Sequence, residues 1–209
     1  MNIVTNPDRA AITKVKELRT VVSHNDGGHW EPLDPPLRDS LGKPYGCLDK
    51  NCTLHLQSFT ERPNPALSYT SPTAPGLILA VGNVGSKLES WQHSDTFLSR
   101  DGGFLWEEVH RGAFMWEFGD QGNIIVMAAD QVPTRKVLYT LDQGKNWLEY
   151  DFGEELLVTG IATVPEDSHR KFMLFGLPLK SSPRRTIGIH LDFAMTEPRK
   201  CESIARCFA

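Results

Sequence analysis

The apolar positions of this chain fall in short runs of strand length, separated by turns rich in Gly, Pro, Asn and Asp. Residues 18–22 and 30–33 read as a first pair of strands. Residues 52–56 (Cys-Thr-Leu-His-Leu) alternate like a half-buried strand. Residues 76–82 form a continuous apolar run with Gly at each end, which predicts a strand covered on both faces. Residues 96–98 and 106–109 complete that group. The cleanest group follows: residues 113–118, 123–129, 136–140 and 147–152, four strands in about 40 residues, with the turn Gly119-Asp120-Gln121-Gly122 between the first two. A last, incomplete group comprises residues 157–164, 171–175 and 186–193.

Between these runs the pattern lapses. Residues 1–17 read as loop or linker, with a helical turn or two over 10–18 as the alternative. Residues 34–51 and 61–75 are Pro-containing loops, and 196–209 form a divergent C-terminal tail.

The turns carry a repeat. Ser23-His24-Asn25-Asp26-Gly27-Gly28-His29-Trp30, Ser99-Arg100-Asp101-Gly102-Gly103-Phe104-Leu105-Trp106 and Thr140-Leu141-Asp142-Gln143-Gly144-Lys145-Asn146-Trp147 share Ser/Thr-x-Asp/Asn-x-Gly-x-x-Trp. The Asx side chain and the hydroxyl bond to nearby backbone, and Gly supplies positive φ. Each copy therefore reads as a hairpin tip with its Trp packed back on the sheet. These are Asp-boxes, and the positions expected to do the stapling are Ser23, Asn25, Gly27 and Trp30; Ser99, Asp101, Gly103 and Trp106; Thr140, Asp142, Gly144 and Trp147. They lack the alternating oxygen ligands and closing Glu of an EF-hand loop, so no metal is assigned to them.

Repeated four-stranded units with a box at the turn between the third and fourth strands predict an all-β fold, a β-propeller with Asp-box repeats. The chain would supply a partial propeller over 18–195, about four blades of a larger ring, with blades near 18–35, 52–109, 113–152 and 155–195. Its expected core includes Ile78, Val81, Phe97, Ile125, Val126, Leu138 and Phe172.

Composition narrows the function classes. A formal net charge of -4, with no dense run of Lys or Arg, argues against a nucleic-acid partner. The longest apolar windows are far shorter than the roughly 20 residues of a membrane-spanning helix, so no direct membrane insertion is expected. The first residues show no basic stretch followed by an apolar run, so no signal peptide is expected either. The four cysteines, Cys47, Cys52, Cys201 and Cys207, lack zinc-site spacing. The short loop between Cys47 and Cys52 predicts a disulfide formed in an oxidising compartment, and Asn51-Cys52-Thr53 makes Asn51 a glycosylation candidate. No cofactor is assigned.

Several segments together resemble the sortilin and fungal vacuolar protein sorting receptor family: residues 20–30, the Cys-Thr-Leu-His-Leu strand, 71–78 with 82–85, and 94–103 continuing through Trp106-Glu107-Glu108-Val109 to Trp116-Glu117-Phe118-Gly119-Asp120-Gln121-Gly122. The resemblance runs from about residue 18 to Cys201. It implies a ten-bladed luminal propeller of which this chain is the last third or so, followed in the family by a cysteine-rich module, a membrane span and a cytosolic sorting tail. The implied function is binding of soluble vacuolar hydrolases, carboxypeptidase-like cargo, in the late Golgi for delivery to the vacuole through endosomes. The implied location is the Golgi and endosome lumen, as part of a membrane receptor. In the family, Cys201 would face the cysteine-rich module.

Two other classes are alternatives: a degenerate propeller scaffold without cargo, and an Asp-box glycoside hydrolase. A sialidase needs an arginine cluster, a Tyr nucleophile and a carboxylic acid, and other glycosidases a facing carboxylate pair. Arg184 and Arg185 read as a solvated loop, and Tyr139 and Tyr150 occupy ordinary strand positions, so no catalytic residue is assigned. His55 and His190 read as core or sheet-face residues. His24 and His29 flank the first box and read as exposed loop residues, with a response to endosomal pH as the alternative.

Overall fold

Short alternating runs bounded by turn residues build sheets only by pairing with one another, and that is how the chain is organised in its computed structural model. The structure describes residues 1–47, 52–58, 70–163, 169–179 and 185–195. These residues form thirteen strands, one short helix and two single 3-10 turns. No helix among them is long and apolar enough to cross a membrane. Two compact units divide the chain, Met1–Ser71 with Pro75–Phe114, and Pro72–Ala74 with Met115–Ala209.

The first unit holds two antiparallel sheets. Strands β1 (Asn2–Val4), β2 (Leu18–Val22) and β3 (Glu31–Pro32) lie in the order β1-β2-β3. Helix α1 (Pro7–Thr13) connects β1 to β2. Pro7 at its start fixes φ, and Lys14 ends it in the left-handed region at φ 60°. Asn6 braces this connection, its Nδ2 donating to the Val15 carbonyl and its Oδ1 accepting the Glu17 N–H. The stretch expected as loop or linker, 1–17, thus contains a strand and a helix. Three residues are too few to show a periodicity, so β1 was not visible as one.

Strands β4 (Thr53–Leu56), β5 (Ile78–Gly85), β6 (Asp95–Ser99) and β7 (Glu107–His110) form the second sheet, in that order. Leu79, Ala80 and Val81 are all buried, so β5 is covered on both faces. Gly82 is required where β5 passes β4: a Cβ there would lie 2.0 Å from the His55 carbonyl oxygen. Leu33, Leu54, Ala80, Phe97 and Trp106 form a buried cluster, with Val22, Leu56, Ile78 and Val84 packed against it. Each large side chain so buried contributes about 1.5–3 kcal/mol relative to exposure.

In the second unit, β8 (Phe114–Gly119), β9 (Ile124–Ala129), β10 (Thr134–Thr140), β11 (Leu148–Thr163), β12 (Lys171–Pro178) and β13 (Ile187–Asp192) make one six-stranded sheet, consecutive in order. The expected strands 147–152 and 157–164 are one continuous strand. The first part of β11 pairs with β10 (Leu148 opposite Tyr139), and its second part with β12 (Thr163 opposite Phe172). Asp151 Oδ1 accepts the Gly153 N–H, and Gly153 takes φ +89°. These residues signal a turn in sequence but form an irregularity within a strand, where the β10 register also shifts. The boundary drawn between 113–152 and 155–195 is therefore crossed by one strand.

The architecture is all-β and antiparallel, compatible with part of a propeller. Val81, Phe97, Ile125, Val126, Leu138 and Phe172 are buried, while Ile78 is half-buried. Trp106 is buried and Trp147 half-buried. Trp30 departs from the expected packing: it is 45% exposed and lies over its own loop, 3.7 Å from where a Gly27 Cβ would stand.

Candidate functional site

The three repeated loops connect β2 to β3, β6 to β7, and β10 to β11. All three fold through the same hydrogen bonds. The hydroxyl donates to the Asx Oδ1: Ser23 to Asn25 at 3.0 Å, Ser99 to Asp101 at 2.8 Å, Thr140 to Asp142 at 2.8 Å. The same hydroxyl oxygen accepts the Gly N–H, from Gly27 at 2.9 Å, Gly103 at 2.8 Å and Gly144 at 2.9 Å. The Asx Oδ1 accepts an N–H four residues on, from His29, Leu105 and Asn146. A neutral Asn performs the same task in the first loop as Asp in the others, so the pattern requires an acceptor oxygen rather than a charge.

One feature of the loops was missed in sequence. The residue before each turn glycine also has positive φ: Asp26 at 56°, Gly102 at 80° and Gln143 at 62°. Gly102 takes this conformation freely, whereas Asp26 and Gln143 do so against Cβ crowding. The Gly-Gly pair of the second loop was the available signal.

Burial, the largest influence on Asp101 and Asp142, raises their carboxyl pKa values, but the hydrogen bonds they accept outweigh it. Asp101 is lowered by Leu105 N–H, the Ser99 hydroxyl and Phe104 N–H. Asp142 is lowered by the Asn146 side chain and backbone and the Thr140 hydroxyl. Both stay ionised, with lone pairs already engaged by the loop. No group of three or more His, Cys, Asp or Glu among the described residues is arranged to hold a metal ion. Within each loop the hydroxyl, the Asx side chain and the backbone N–H groups are bonded to one another.

The first two loops touch. The His24 ring stacks on Phe104 with centroids 3.9 Å apart and planes 13° apart, and His24 Nδ1 lies 3.9 Å from Glu31 Oε1. In the second loop Trp106 Nε1 donates to the Gly103 carbonyl at 3.0 Å. The third loop belongs to the second unit. Cys47 and Cys52 are joined by a disulfide with Cα atoms 5.5 Å apart. Asn51, Arg184, Cys201 and Cys207 lie outside the described residues. Tyr139 packs against Phe193, Tyr150 is exposed on β11, and His29 and His190 are exposed.

A polar cluster lies outside the repeats. Buried Glu108 accepts the Ser40 N–H and hydroxyl through Oε1, and Arg111 Nε lies 3.1 Å from the same oxygen. Arg111 also pairs with Asp39, which accepts the Leu41 and Lys43 N–H groups. Within the loop expected over 34–51, Ser40 is thereby pinned to Glu108 on β7 and Asp39 to Arg111 just beyond it, contacts 68 and 72 residues apart. Separations of that size leave no local trace in sequence.

A family model described as sortilin, neurotensin receptor 3, matches residues 1–161. The vacuolar protein sorting/targeting protein 10 of Mycosarcoma maydis is 52% identical over 201 residues, 96% of this chain and 13% of that protein. Its namesake from Laccaria bicolor is 45% identical over 203 residues, 97% and 14% respectively. That from Uncinocarpus reesii is 42% identical over 213 residues, 99% and 14%. The chain thus spans 13% to 14% of the length of these curated relatives.

Proposed function

We propose, from the premise that this chain belongs to the sortilin–Vps10 family of sorting receptors, that it is a segment of the receptor propeller that binds protein cargo. The observation that carries this reading is the 52% identity, over 96% of the chain, to a protein named for vacuolar sorting and targeting. On this reading the sheets are successive blades. The three loops are Asp-boxes, the second and third stapling turns between third and fourth strands (β6–β7 and β10–β11) and the first joining the second and third strands of its three-stranded sheet, and Asn51 carries a glycan in the sequon next to Cys52. The cargo is a soluble vacuolar hydrolase of the carboxypeptidase kind, taken up in the late Golgi and released along the endosomal route to the vacuole. The segment acts as part of a membrane receptor in the lumen of those compartments, without catalysis and without a nucleic-acid partner.

Closure supports a division of labour between this segment and the rest of the receptor. A binding tunnel needs the inner strands of many blades held in a ring, and an open array leaves edge strands unpaired. The isolated chain is therefore expected to bind cargo weakly or not at all and to self-associate. Grafted in place of the matching segment of the Mycosarcoma maydis relative, it is expected to complete a binding-competent receptor. A pull-down of carboxypeptidase-type hydrolase by the chain and by the graft tests this. Tight, saturable binding by the isolated monomer, or a folded graft that captures none, overturns it.

A further inference from the structure

The two sheets of the first unit meet along a polar seam between β2 and β4. Thr20 N–H donates to His55 Nδ1 at 3.2 Å, and Leu56 N–H donates to Thr20 Oγ1 at 2.8 Å. Thr20 Oγ1 in turn donates to Asn2 Oδ1 at 2.7 Å, and Asn2 Nδ2 donates to the Leu56 carbonyl at 3.1 Å. Farther along, Leu88 N–H donates to the Leu18 carbonyl and Arg19 Nε to the Ser86 carbonyl, each at 2.8 Å. His55 is fully buried, with Nε2 3.1 Å from the Gly85 carbonyl and 3.2 Å from Thr53 Oγ1. Because Nδ1 accepts from Thr20, the hydrogen-bond network assigns the ring proton to Nε2, from where it reaches the Gly85 carbonyl. The ring is neutral, and β2 and β5 hold it in one tautomer.

We infer that the β2–β4 seam is a proton-operated joint, closed while His55 is neutral and opened when a proton is added at Nδ1. That proton removes the acceptor of Thr20 N–H and sets two N–H groups against each other at 3.2 Å beside a fully buried ring. The seam can restore hydrogen bonding by letting β2 part from β4 and admitting solvent to the ring.

Of the described groups around the ring, the Gly85 carbonyl alone stabilises the imidazolium. From β2 the charged group acting on the ring is Arg19, which repels it. Asn2 on β1, Asn83 opposite His55 on β5, and Thr53 on β4 do not titrate. Burial, the largest influence, lowers the pKa, Arg19 lowers it further, and the bond to Gly85 opposes them without prevailing. The folded pKa thus lies below the open-state value of about 6.5, so the closed seam is fully favoured above about pH 6.5 and weakens as pH falls below it. One pH unit below that point, opening is favoured up to about tenfold more than at neutral pH.

Amide hydrogen exchange on the full 209-residue chain at pH 7.5 and 5.5, corrected for the intrinsic pH dependence of exchange, tests the joint. Protection of residues 18–22 and 53–56 is expected to fall up to about tenfold more than that of β6 in the same unit. His55→Asn, which keeps an acceptor near Nδ1 but does not titrate, is expected to abolish the excess. Equal losses in seam and β6, or an undiminished excess in His55→Asn, overturn the inference. Should that variant not fold, ring nitrogen NMR of the unsubstituted chain decides. An Nε2–H tautomer titrating below pH 6.5 together with the Thr20 amide supports the joint, and an Nδ1–H tautomer or titration at or above 6.5 overturns it.

Discussion

Replacing Asp142 separates the acceptor role of the repeated Asx residue from its charge. In Asp142→Ala the fully buried Thr140 loses the acceptor of its hydroxyl proton, and Asn146 loses the bonds its backbone and side chain make to the carboxylate. A buried hydroxyl left without an acceptor costs about 1–2 kcal/mol; the Asn146 groups reach water and cost about 0.5–1 kcal/mol. The total of about 1.5–3 kcal/mol corresponds to a midpoint lowered by roughly 3–12 °C for a chain of this size. Asp142→Asn retains the Oδ1 acceptor, as Asn25 does in the first loop, and is expected to cost under about 1 kcal/mol. Urea unfolding followed by tryptophan fluorescence at neutral pH measures both. An alanine variant within about 0.5 kcal/mol of the parent, or an asparagine variant as damaged as the alanine one, would show that the Asx acceptor does not hold the loop.

Acid unfolding carries a related signature. The folded pKa values of Asp101 and Asp142 are lowered, so their contribution is present above the ordinary carboxyl value near 3.8 and is lost as pH falls through the folded values. The urea midpoint of the parent should decline through this range, and Asp101→Asn with Asp142→Asn should flatten that part of the decline. Gly82→Ala should abolish the native near-ultraviolet circular dichroism, because its Cβ would meet a backbone oxygen at 2.0 Å; Gly46→Ala, with open space around it, should unfold at the parent's midpoint. Arg111→Ala should release the loop around Ser40 and speed limited proteolysis there several-fold, a change mapped by mass spectrometry of the first cleavage products.

What sequence reasoning could see was set by range. The loops were legible because Ser99, Asp101 and Gly103, and their counterparts, satisfy one another within a few residues, and β5 was legible because burial on both faces writes an unbroken apolar run. β1 was missed because three residues make a strand only once Leu18–Thr20 pair with them. The continuity of β11 was hidden because Asp151-Phe152-Gly153 has turn composition, and only the pairing with β10 and β12 keeps it extended. The exposure of Trp30 reflects a first sheet whose β3 has two residues, too short a ledge to cover an indole. The satisfied state of His55 and the pinning of Ser40 by Glu108 depend on partners 30 to 68 residues away.

Sorting in cells tests whether this segment completes a cargo receptor. The matching segment of the Mycosarcoma maydis relative is replaced by this chain, and the fraction of a vacuolar carboxypeptidase secreted into the medium is compared with that of the native receptor and of a receptor-null strain. Retention of the hydrolase at the native level is the predicted result. Secretion at the receptor-null level, by a chimaera present at normal abundance and in the same compartments as the native receptor, would show that the segment does not serve in a cargo receptor.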